Sequence, residues 1–85
     1  MALPTSPVTL TPEQLEQLNK KLSHMRHEIN NHLSLIVAAL ELARYKPEMR
    51  ERMVAAMSEQ PPKITHAMEH FSIEFESTLG ITRDA

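Results

Sequence analysis

Five histidines, at positions 24, 27, 32, 66 and 70, are the groups in this sequence best suited to chemistry near neutral pH. A neutral imidazole is a good nucleophile and an effective acid or base around pH 7. The spacing of these residues decides which chemistry is open to them. His66 and His70 are four apart and His24 and His27 three apart, both ligand spacings on a helix. No Cys and no tight carboxylate cluster completes a four-ligand set, so no metal and no other cofactor is expected. The second possibility is a single reactive imidazole held on a wet helical face. His27 fits it, followed at once by Glu28 and, four residues on, by Asn31.

The element that must carry these residues is a long helix. Thr11-Pro12-Glu13-Gln14 has a capping residue, a proline suited to the first helical position, and a glutamine able to close a capping box. Apolar residues then recur at steps of three or four as Leu15, Leu18, Leu22, Met25, Ile29, Leu33, Ile36, Leu40 and Ala43. With no Gly or Pro before Pro47, this predicts one helix over about 12–45. His27 falls roughly 160° from the centre of that stripe, in solvent. His24 and Asn31 share its outer face, and Lys20, Ser23 and Ser34 extend it. His32 lies nearer the apolar stripe, as a packed, hydrogen-bonded residue.

A second stripe, Met49, Met53, Met57, Ile64, Met68, Phe71, Phe75 and Leu79, predicts a returning helix over about 48–79, closed by Gly80. The short break at Tyr45-Lys46-Pro47 implies antiparallel neighbours. Pro61-Pro62 removes two amide donors and predicts a kink there, or else a third helix starting near Pro62. A kinked hairpin is the preferred reading, because seven residues separate Met57 from Ile64 and keep the stripe in phase. Residues 1–10, with Pro4 and Pro7, read as a flexible or extended leader, 11–80 as the hairpin and 81–85 as a tail. Arg50, Glu51, Arg52 and Glu59 read as a solvated face.

Composition agrees with an all-α fold: 85 residues include one Gly, six Met, two Phe and one Tyr. A chain of this size without Cys has little core of its own. The expected answer is a homodimer in which two antiparallel two-helix hairpins form a four-helix bundle. The competing answer is a monomer that hides its stripe against a different protein, the methionines serving as an adaptable surface. A net charge of −2 with scattered Lys and Arg argues against nucleic acid. The longest apolar run, Leu35 to Leu40, is far below the ~20 residues of a membrane span, so no membrane insertion and a cytoplasmic location are expected.

The run Met25-Arg26-His27-Glu28-Ile29-Asn30-Asn31-His32-Leu33-Ser34-Leu35-Ile36 resembles the H-box of sensor histidine kinases. The pattern there is His-Glu, two residues, Asn, usually Pro, then Leu and another aliphatic. The likeness extends over most of the chain, since the dimerisation and phosphotransfer domain of that family is a long helix, a short turn and a returning helix. It implies that His27 is the phosphoacceptor, Glu28 the neighbouring acid or base, and Asn31 the amide that positions a phosphoryl group or an attacking water. It also implies a receiver domain of a response regulator, or a separate kinase, as partner. Histidine phosphotransfer and response-regulator dephosphorylation are both available from these residues. An inactive, kinase-like interaction module that binds a receiver or a kinase is the alternative. Two departures stand out: His32 replaces the usual Pro, and a single Gly cannot furnish the Gly-rich segments of an ATP-binding domain. Autonomous ATP-dependent kinase activity is therefore not expected.

Overall fold

Thr11 opens the first helix as its spacing to Gln14 demands. Its Oγ1 accepts the Gln14 amide at 3.1 Å, and its own amide donates to Gln14 Oε1 at 2.8 Å. In the computed structural model, which describes residues 1–83, helix α1 runs Pro12–Tyr45, about 50 Å at 1.5 Å per residue. Its end follows from Pro47. The residue before a proline is driven out of the helical region, and Lys46 leaves it at φ −129°, ψ 86°. Pro47 also has no N–H to offer the carbonyl of Ala43, and the Arg50 guanidinium donates to that oxygen instead, at 3.3 Å.

A 3-10 turn at Pro47–Met49 leads into α2, Arg50–Ser58, and then α3, Gln60–Leu79. The two meet at Glu59, where Pro61 and Pro62 withhold the amides that would bond the carbonyls of Met57 and Ser58. Glu59 itself stays in the helical region at φ −79°, ψ −19°. Gly80 ends α3 in the left-handed region at φ 70°, and Ile81 N–H donates to Glu76 O at 2.8 Å. No strand is present among the described residues; the fold is all-α.

Contacts across the turn pair residues ever closer in sequence, Lys21 with Glu74, His32 with Gln60, Arg50 with Ala43, so the arms are antiparallel. The seam between them is read from burial. On α1 it comprises Leu18, Leu22, Met25, Ile29, His32, Ile36, Ala39 and Ala43. On the returning arm it comprises Met53, Met57, Gln60, Ile64, Ala67, Phe71, Glu74 and Thr78. Both lists alternate steps of four and three without a slip, even across Pro61-Pro62. That is the 3.5-residue repeat of helices wrapped around each other.

This seam corrects the predicted stripes at several positions. Leu33 and Leu40 are each 47% exposed, and the seam takes His32 and Ala39 in their place. Met68 and Phe75 are likewise exposed, beside Ala67 and Glu74. The buried alanines, Ala39, Ala43 and Ala67, let the backbones approach, and close approach favours the strict heptad over a 3.6-residue drift. Leu15 is 54% exposed as well, and each of the other four displaced residues follows a seam residue by one position. In an antiparallel pair such positions fall on one flank, so Leu33, Leu40, Met68 and Phe75 share one apolar side.

The hairpin is one helix layer thick, 59 × 29 × 11 Å, with a radius of gyration of 18.2 Å. A compact chain of this length has about 12 Å. Among the described residues no large side chain is fully buried. At the open end Ala2 exchanges two backbone hydrogen bonds with Thr82, at 2.6 and 2.9 Å, so the exposed first segment is tied to the residue two beyond Gly80. Part of the expected tail, residues 84–85, lies outside the described residues.

Candidate functional site

His27 lies midway between Met25 and Ile29, both of which face the seam, so its ring points away from the returning arm and is exposed. Asn31, one turn further on, is exposed beside it, and Lys20, Ser23, His24 and Ser34 continue the polar strip. Neither His27 nor Asn31 has a side-chain hydrogen bond or ion pair among the described residues. The strip thus presents a free imidazole and a free amide on a rigid helix.

Glu28 is paired with a different histidine. Adjacent helical residues point about 100° apart, while residues four apart are neighbours. Glu28 is half-buried, and its Oε1 lies 2.6 Å from Nε2 of His24 rather than against His27. The structure therefore brings together His24 and Glu28, and keeps His27 and Asn31 near them on the outer face without a bond to either. The i,i+4 spacing of His24 and Glu28 was the signal for this pair.

Beyond Glu28 a groove of about 470 Å³ opens between the arms, on the flank opposite Leu33 and Phe75. Its floor is apolar, from Met25, Ala67 and Phe71. Its walls carry Lys21, His24 and Glu28 from α1, and His66, His70 and Glu74 from α3. Lys21 Nζ donates to Glu74 Oε2 at 2.5 Å, bridging the arms. That hydrogen bond and the ammonium charge hold the Glu74 carboxyl below its ordinary value of 4.5, with partial burial opposing and His70 adding a smaller pull. His66 and His70 both line the groove, yet among the described residues no three His, Cys, Asp or Glu groups are set to hold a metal ion.

His32 occupies a seam position five residues after His27. Its Nδ1 lies 2.8 Å from Oε1 of Gln60, one of the few buried residues of the hairpin. The oxygen can only accept, so the ring proton sits on Nδ1. Gln60 was not singled out by sequence, since one polar residue in a methionine-rich arm has no periodicity to betray it.

No protein-family model, no curated protein and no solved structure matches this chain. Among the described residues no helix is long and apolar enough to cross a membrane.

Proposed function

We propose that this chain is a cytoplasmic two-component signalling hairpin that exchanges a phosphoryl group between His27 and the receiver aspartate of a partner protein. The observation that carries the reading is the position of His27: exposed, at the outermost point of α1, with the Asn31 amide free one turn away. Phosphoryl transfer depends mainly on positioning and charge stabilisation, which a stiff helix with a polar outer strip supplies. Asn31 positions the phosphoryl group, or a water that attacks the receiver's aspartyl phosphate. Glu28 serves as acid or base after its carboxylate turns from His24.

In this reading two hairpins pair into a four-helix bundle. Support comes from a single-layer fold with almost no core of its own and an apolar flank left open. A non-catalytic module that captures a receiver or a kinase on that same flank is the second reading.

One experiment separates them. Native protein and His27→Ala are incubated with a panel of phosphorylated receivers, and phosphate on both partners is followed. His27-dependent label, or His27-dependent loss of receiver phosphate, supports the first reading. Binding that the substitution leaves unchanged, without transfer, replaces it with the second.

A further inference from the structure

His24 holds the geometry of an activated imidazole. Its Nε2 lies 2.6 Å from Oε1 of Glu28, an ion-pair contact, and an acceptor-only carboxylate this near favours the ring proton on Nε2. The opposite nitrogen, Nδ1, then carries the lone pair. This is the arrangement in which a carboxylate orients a histidine and stabilises the cation that forms when it reacts. The ring is 74% exposed and therefore accessible to a donor. It also lines the groove between the arms, whereas His27 does not. Lys20 and Lys21 line the same groove, paired with Glu16 and Glu74, and His66 and His70 stand on the facing wall, so a phosphoryl group that displaces those carboxylates would meet cationic and N–H donors there.

We propose that His24 is a second phosphoacceptor, taking a phosphoryl group from an acyl phosphate with Glu28 as its positioning partner. The proposal rests on the reading of the hairpin as a phosphoryl exchanger, but on a different residue. Nδ1 of His24 attacks phosphorus and a P–N bond forms as the P–O bond to the acyl oxygen breaks. The carboxylate leaves with the bonding pair. The imidazole becomes cationic, and its Nε2 proton stays on the ring beside Glu28 or passes to that carboxylate. The product is phosphorylated on Nδ1, and the reaction is reversible by the same path.

The test uses the full chain with acetyl phosphate, followed by tryptic digestion at neutral pH and mass spectrometry. Cleavage after Lys21 and Arg26 isolates His24 on the peptide 22–26, and His27 with His32 on the peptide 27–44. Phosphoryl label on 22–26, as the Nδ1 isomer, is expected in native protein and in His27→Ala, and absent in His24→Ala. Glu28→Gln should cut that label by at least about tenfold, since it removes the orienting charge. None of the three substitutions, His24→Ala, His27→Ala and Glu28→Gln, replaces a seam residue, so the helix content should stay unchanged, which circular dichroism checks.

Label confined to 27–44 would overturn the role of His24 and leave that of His27 standing. Label on 22–26 alone would uphold it and remove His27 from the mechanism. Label on His24 that ignores Glu28→Gln, or equal label on all five histidines, would show unassisted surface chemistry and overturn the proposal. No label on any peptide would overturn both roles.

Discussion

Replacing His32 with leucine should destabilise the hairpin, although it exchanges a polar seam residue for an apolar one. The Gln60 residue is only 7% exposed, and its Oε1 has one partner, Nδ1 of His32, at 2.8 Å. Removing that partner leaves a buried acceptor unmet, at a cost of about 1–3 kcal/mol. For a domain of this size each kcal/mol moves Tm by roughly 4–8 °C. Gln60→Leu should cost less, because the half-buried imidazole can turn its freed N–H towards water. The double substitution His32→Leu/Gln60→Leu removes both groups and should be near neutral or stabilising, since paired polar groups replaced by packed apolar ones lose little. The assay is urea denaturation of native protein, both single variants and the double variant at one protein concentration. Strong non-additivity is expected. If the double variant's loss equals the sum of the single losses within about 0.5 kcal/mol, the two residues are uncoupled and Gln60 does not depend on His32.

Three further outcomes follow from the same geometry. Glu74 has a folded-state value below its ordinary one because of Lys21, so its stabilising effect is full above pH 4.5 and fades as pH falls through the lowered value. Lys21→Met should weaken the dependence of stability on pH in that acid range, measured by thermal melts between pH 5 and pH 3. Thr11→Ala removes the cap and should cost about 1 kcal/mol, seen as faster hydrogen exchange in the first turn of α1. If the apolar flank is a subunit contact, Leu33→Glu with Leu40→Glu should yield a monomer by light scattering; a native protein already monomeric at micromolar concentration would refute the bundle.

Much of this fold was open to reading because its signals are local. The Thr11–Gln14 box, the proline after Lys46 and the glycine after Leu79 are each read within four residues. The heptad phase linking Met57 to Ile64 was equally visible. What the residues did not disclose was which neighbour faces inward where two candidates adjoin. Ala39 against Leu40, and Ala67 against Met68, turn on how near the arms come, a tertiary property that favours small side chains over large ones, whereas His32, already read as packed, takes its seam place with a bond to Gln60. The candidate site divides along the same line. The outward turn of His27 needs only the helical period. The pairing of Glu28 with His24 depends on side-chain reach and follows the i,i+4 rule.

The bond between Ala2 and Thr82 brings the two described ends of the chain side by side, at the end of the rod away from Pro47. Traction applied to both ends would therefore unzip the arms rather than slide them past each other. After the Ala2–Thr82 bridge, the Lys21–Glu74 tie would part first and the His32–Gln60 tie next. The turn, held by Arg50 on Ala43, would give way last. Each tier bears the load alone, so the rod should open at low force and close again from the turn, a mechanical softness that its stiff first helix conceals.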